Sequence, residues 1–495
     1  MAFENRDERL GSVHPEIIQG GMGIGVSSWR LAGAVARAGA MGVVSGTALE
    51  TVYARRLQLG DLDGTVRRAL AHFPVPSVAQ RVLDRYFVEG GKGVDEPFRG
   101  VPMYTLRPSV DLQMLSVVSN FAEVWLAKEA GRCGSDDCSP EHFGPIGINY
   151  LYKIQMPLAA SLYGAMLAGV DYVIVGAGSP EALPQLLRAF SCGELGTMPI
   201  KVQYASPTDE YVQSFDPHLV FERDAPRLPR PRFLAIVASA DLATRLRADA
   251  VCCPDGFVIE GYTAGGHNAP PRGPLKLDPR GQPVYGPLDD VDLSAMVGLG
   301  LPFWLAGAYG RPSALEDARS LGAAGIQVGT AFAFCEESGL VPDLRDRAVA
   351  RALEGSLSVR TDPRASPTGF PFKIVELDGT VSDDGVYVGR RRICDAGFLR
   401  VPYKTPTGEL GYRCPAEPGA VYERKSGRAQ QTEGRLCLCN GLLANIGLGQ
   451  RRSDGTSEAA LLTAGDGVSS IARYVASGAT TYSAETVVAA LRRGA

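Results

Sequence analysis

Short apolar runs of three to six residues, each closed by glycine or another small residue, recur along the first two thirds of the chain. They lack the strict alternation of a half-buried strand and are too short for buried helices, so they read as strands covered on both faces. Eight can be placed, over 16–19, 40–45, 144–149, 171–175, 233–237, 257–259, 302–306 and 325–328. Stretches with apolar positions at helical spacing follow most of them, as in SSWRLAGAVAR (27–37), PLAASLYGAMLAG (157–169), EALPQLLRAF (181–190) and ADLATRLRA (240–248). Eight strands alternating with helices predict a (β/α)8 TIM barrel rather than an open doubly wound sheet.

Two stretches break the rhythm. Over 50–142 the strands stop, and GTVRRALAHF, VAQRVLDRYF and LSVVSNFAEVWLAKEAG predict a mainly helical insertion that ends in the loop-like GRCGSDDCSPEHFG. A second, proline-rich insertion over 191–232 holds a candidate hairpin around IKVQY. Beyond 371 come alternating, Gly-rich segments, a cysteine-bearing region and an expected terminal helix over 469–493. The expected organisation is a barrel within 1–370, interrupted by the 50–142 insertion, with a C-terminal extension over 371–495 packed on it.

With 50 Lys and Arg against 54 Asp and Glu, the net charge is -4, and no block of one sign suggests a nucleic-acid or membrane footprint. The N-terminus is charged and lacks an apolar core of export-signal length, and the least polar run, 157–170, is closed by Asp171 and is too short to span a bilayer. A soluble, cytoplasmic protein is expected, with a small molecule or a carrier-bound acyl group as partner and a homodimer as the guess for assembly. Ten cysteines in so long a chain are not a disulfide framework. Cys394, Cys414, Cys437 and Cys439 lie within 46 residues but without C-x2-C pairs, so packed free thiols are expected, with a structural metal or a redox role as alternatives. Cys133 and Cys138 form a looser pair, and no residue is assigned as a metal ligand.

Candidate chemistry centres on GFVIEGYTAGGHNAPPRG (256–273). The strand ends in an acid, glycines forbid its continuation, and His267 falls on the loop beyond, at the end of a parallel sheet where ligands bind. GAYGRP (307–312) and VGTAF (328–332) close the last two strands with small residues near helix starts, which suits an anion. Loops in that position are the recurrent phosphate site of such barrels. The glycines of GGMGIG close the first strand, and no separate dinucleotide-binding domain is evident, so any nicotinamide must visit the barrel mouth as a substrate.

The ordered series GGMG, GIN, GAG, AGGH, AGAYG and QVGTAF resembles the FMN-dependent nitronate monooxygenases (2-nitropropane dioxygenases) and the related flavin-dependent enoyl-ACP reductases, over about 15–335 without the insertions. The resemblance implies FMN as cofactor. It implies either oxidation of a nitronate or similar carbanion-like substrate with O2, the preferred reading, or reduction of an enoyl thioester with NAD(P)H as co-substrate. By motif, Gly21 and Met22 match the loop against the flavin ring and Asn149 the side chain that bonds it. Gly307, Ala308, Gly329 and Thr330 match the phosphate cradle, and His267 the active-site histidine. His267 suits a base, or a cation or donor at an enolate or nitronate oxygen. Glu260 reads as an acceptor for ribityl hydroxyls, a loop-orienting group or a solvated acid, beside Tyr262. Asn268 and Arg272 depart from the shorter relatives. Lys153 and Gln155 read as solvated loop residues in preference to contacts with substrate or a carrier phosphate. His14, His72, His142 and His218 read as ordinary surface or loop residues.

Overall fold

The eight expected strands are all present as β1 Ile17–Gln19, β2 Gly42–Ser45, β3 Ile146–Leu151, β4 Tyr172–Gly176, β5 Arg232–Val237, β6 Gly256–Glu260, β7 Phe303–Ala306 and β8 Gly325–Val328. The computed structural model describes residues 14–132, 143–221 and 224–493; Cys133, Cys138 and His142 lie outside them. Neighbouring strands are parallel in the order β1-β8-β7-β6-β5-β4-β3-β2. The ring closes just before β2, where Gln19 N donates to Met41 O (2.9 Å) and Met41 N to Ile17 O (3.0 Å).

Side chains of a strand alternate between faces, and this period decides what fills the barrel and what reaches its mouth. Ile18, Met41, Val43, Tyr172, Ile174, Leu234, Val258 and Trp304 form the sealed interior cluster. Trp304 closes the floor by donating Nε1–H to Pro15 O (2.6 Å). Two residues beyond Val258, Glu260 points the same way and stands at the mouth.

The 50–142 insertion contains helices Leu49–Gln58, Thr65–Ala71, Pro76–Tyr86 and Val110–Gly131. The last is the crossover from β2 to β3. It packs between helices Trp29–Arg37 and Leu158–Leu167, so it belongs to the barrel's outer ring. Its Glu123, almost fully buried, accepts hydrogen bonds from Trp29 N and Tyr53 Oη, both at 2.7 Å.

Glu50, just past β2, is 1% exposed, and its Oε1 has no partner in the protein. Burial raises its carboxyl from 4.5 to about 7. Between those values the unfolded chain gives up a proton that the native state keeps, so this group's contribution to stability falls as pH rises. Glu50→Gln is expected to exceed the wild type by about 3 kcal/mol at pH 8 and to match it near pH 4. Urea unfolding at the two pH values checks this.

One expectation is located and one is corrected. The hairpin after β4 pairs Gly196–Pro199 with Val212–Phe215, so IKVQY lies in the connection; there Gln203 bonds instead to the extension, donating to Pro402 O and accepting from Lys404 N. The terminal stretch is not one helix. A 3-10 segment Asp466–Tyr474 ends, Gly478 turns at φ +78°, and Ser483 caps a new helix Ala484–Arg492 by accepting from Thr486 N. Within 371–495, strand Phe372–Glu376 pairs with Ser358–Asp362, and Val401–Lys404 with Leu410–Arg413. Apolar residues of this segment share one buried cluster with the barrel helices. No helix among the described residues is long and apolar enough to cross a membrane.

Candidate active site

A cavity of about 690 Å³ lies at the C-terminal ends of the strands, and Gly21, Met22, Asn149, His267, Gly307, Ala308, Gly329 and Thr330 all border it. The sequence-predicted residues, scattered over more than 300 positions, therefore converge on one place. Lys153 and Glu260 border it as well. Gln155 instead contacts the hairpin backbone at Pro199 and Lys201, and Arg272 bonds to Asp289 and Ala238 O. Tyr262 stacks on Tyr285 (4.4 Å, 6°) and faces a neighbouring cavity.

Asn149 and Gln327 occupy inward positions of β3 and β8. Asn149 Nδ2 donates to Ile174 O (3.3 Å), while Gln327 Oε1 is buried without a protein partner. Gly21 lies directly against Asn149. The β7 loop turns through Gly307 (φ +92°) and Ala308 (φ +58°), the latter a non-glycine residue in the left-handed region. Thr330 Oγ1 accepts from Gly465 N (2.8 Å), which ties the β8 loop to the extension.

The histidine loop is held by the extension too. Asn268 N donates to Pro371 O (3.0 Å), Lys373 N to Gly266 O (2.9 Å) and Gly266 N to Thr463 Oγ1 (2.8 Å). A Cβ at Gly265 would come within 2.8 Å of the Ala464 carbonyl carbon, so the glycine permits this close approach. His267 Nε2 lies 2.7 Å from Ser366 Oγ, itself 2.8 Å from Thr368 Oγ1, and the imidazole meets Phe372 edge-on. Burial, reinforced by the charge of Lys153, holds the imidazole down to about 3, so it is neutral at physiological pH. A cationic His267 is thereby removed from the expected roles, and its strength as a base is small. Its capacity as a neutral hydrogen-bond donor remains.

Burial also pushes Lys153 down to about 7, opposed by Glu260, and Glu260 up to about 7, opposed by Lys153. The Lys153 ammonium sits 3.3 Å from the centroid of the Phe370 ring. Sequence reasoning preferred a solvated loop for Lys153; the structure places it in the cavity. It missed the roof entirely, which consists of Phe370, Phe372, Phe398, Leu399, Leu438 and Leu442.

The four C-terminal cysteines do meet, around a void of about 10 Å³ behind this roof, and Cys439 also borders the main cavity. All four are free thiols that burial pushes upward, and no group of side chains among the described residues is arranged to hold a metal. His14 meets Trp304 edge-on, His72 stacks on Trp125, and His218 pairs with Asp216, all away from the cavity.

A closed (β/α)8 barrel with small-residue loops after β7 and β8 and a polar cluster at its mouth is an arrangement that can hold an anionic ligand at the C-terminal face. The nitronate monooxygenase family model matches residues 230–366, a stretch that runs from β5 through β8. No curated protein matches. Among solved structures, FabK from Thermotoga maritima is similar at 14% identity and TM-score 0.45, covering 99% of this chain and 96% of that one. The enoyl reductase domain of MlnA, from the macrolactin biosynthesis cluster of Bacillus amyloliquefaciens, is similar at 9% identity and TM-score 0.46 (98% and 95%). A nitroalkane oxidase from Streptomyces ansochromogenes is similar at 17% identity and TM-score 0.42 (96% and 94%).

Proposed function

We propose that the protein is an FMN-dependent reductase of enoyl thioesters, with NAD(P)H as electron donor. The observation that carries this reading is the roof. Six apolar side chains line the cavity opposite the strand ends, a surface suited to an acyl chain and larger than a small nitronate requires.

The residues present fit FMN. Gln327 Oε1 is a buried acceptor without a protein partner, Gly21 leaves open the space beside Asn149, and the loops at 307–308 and 329–330 offer small residues around an anion. Gly21 and Met22 would lie against the ring, Asn149 would bond it, and Gly307, Ala308, Gly329 and Thr330 would hold the phosphate. The flavin would supply two-electron transfer. The chain supplies the rest. The roof excludes water, and neutral His267 offers a donor to the substrate carbonyl. With Ser366 Oγ–H directed at Nε2, a tautomer the network allows, Nδ1–H is the ring's remaining donor.

Nitronate oxidation with O2 is the second reading. It is favoured by the Lys153 cation, which would attract a small anion, and needs no strong base if the substrate arrives already ionised. Anaerobic stopped-flow absorbance of the flavin band separates the two. Bleaching by NADPH or NADH and recovery on adding an enoyl thioester are expected. Bleaching by propionate-3-nitronate alone, with nitrite released on admitting O2, would replace the first reading by the second.

A further inference from the structure

We propose that Lys153 is a catalytic residue of this cavity, the donor of the proton that completes reduction of the substrate double bond, and that Glu260 positions and recharges it. The inference rests on the reductase reading above. Lys153 lies two residues beyond β3, and Glu260 is the last residue of β6. These strands stand three places apart in the ring of eight, so the two side chains enter the cavity from facing walls.

Among the described residues, neither group has a hydrogen bond or an ion pair within 4 Å from its side chain; Lys153 has only the face of Phe370. Lys373 shows what a structural lysine looks like in this fold, buried with Thr361 Oγ1 and Asp466 as fixed partners. Leaving a desolvated ammonium and a desolvated carboxylate without partners costs stability, and the fold gains nothing in return. The three N–H donors of Lys153 and the oxygens of Glu260 are therefore free for whatever fills the cavity. Both groups titrate near 7, where a proton passes between them at little cost. The remaining charged or titratable side chains on the cavity are His267, kept neutral by burial and by the Lys153 charge, together with Arg245, Arg311, Arg473, Tyr309 and Cys439.

With the flavin bound and reduced, hydride would be supplied to Cβ of the enoyl group, and the C=C π pair would shift to leave an enolate whose oxygen the His267 donor holds. The Nζ–H bond of Lys153 breaks and its proton bonds to Cα, leaving a neutral amine. After product leaves, solvent entering the cavity carries a proton from protonated Glu260 to Lys153, and Glu260 is reprotonated from solvent.

The test follows the two half-reactions of the holoprotein separately, with NADPH and then trans-2-octenoyl N-acetylcysteamine thioester as probes. In Lys153→Met, flavin content and bleaching by NADPH are expected to stay within about threefold, while reoxidation by the thioester slows about 100-fold. Lys153→Arg keeps the positive charge but holds its proton too tightly and is expected to be as slow. Wild-type reoxidation falls as pH rises through about 7, and the Lys153→Met profile is flat there. In the flavin-free protein, competitive acetylation read by mass spectrometry gives a Lys153 midpoint that Glu260→Gln moves downward, because the carboxylate favours the charged amine. Wild-type reoxidation in Lys153→Met overturns the proposal alone. A wild type that neither bleaches with NADPH nor recovers with the thioester overturns the reductase reading and the proposal with it.

Discussion

Gly21→Ala is expected to give a folded protein that no longer retains flavin. A Cβ at position 21 would lie 2.3 Å from Asn149 Cβ and 2.9 Å from its Cγ, far inside contact distance. Asn149 cannot retreat, since β3 is paired on both sides, with β2 and β4. The loop at 20–22 must then move into the cavity, or the Asn149 amide must leave it. Either change removes a surface assigned to the ring. Bound flavin per protein, measured by absorbance after purification, should drop at least about tenfold, which corresponds to a loss of 1.4 kcal/mol or more in binding. The buried core is untouched, so the melting temperature should move by only a few degrees. Full flavin retention would show that this loop does not meet the ring.

His267→Ala is expected to lower kcat by about 10²- to 10³-fold, the usual cost of removing one preorganised donor to a developing oxyanion, with flavin retained. His267→Gln, which keeps a neutral donor, should recover part of the loss. The pH dependence separates a donor from a base. An imidazole held down to about 3 does not change charge between pH 5 and 8, so the wild-type profile should show no acidic limb from His267 in that range. Steady-state rates of the wild type and both variants across that range, with flavin content measured alongside, check both points. An acidic limb near 6.5 that disappears in His267→Ala would assign the base role instead.

The barrel was legible because strands covered on both faces are written as uninterrupted apolar runs, and because each run ends in residues that cannot extend it. The same logic located His267 and the loops after β7 and β8, all fixed by their distance from a strand end, whereas Asn149 came from the family resemblance of GIN. Glu260 could have been placed as firmly, since period two from the buried Val258 aims it into the mouth. Lys153 could not, because it lies beyond the strand, where no periodicity governs direction. The roof was illegible for a related reason. Phe370, Phe398 and Leu399 sit in irregular segments whose local sequence carries no sign of where the chain will fold them. AGGH shows the mixture within one motif. Its histidine reads as chemistry, while Gly265 answers to Ala464, almost 200 residues further on. The terminal helix was misread because apolar spacing in 469–493 continues across the Gly478 turn that interrupts it.

The most direct test of the central claim is titration of the flavin-free protein with FMN, followed by quenching of flavin fluorescence, for the wild type and for a variant of the β7 loop, Gly307→Val. One FMN per chain with micromolar or tighter affinity is expected, and a large loss in the variant, whose added side chain would meet Thr263 at a backbone angle that only glycine adopts freely. No binding by the wild type, or equal binding by the variant, would contradict the assignment of this cavity to a flavin.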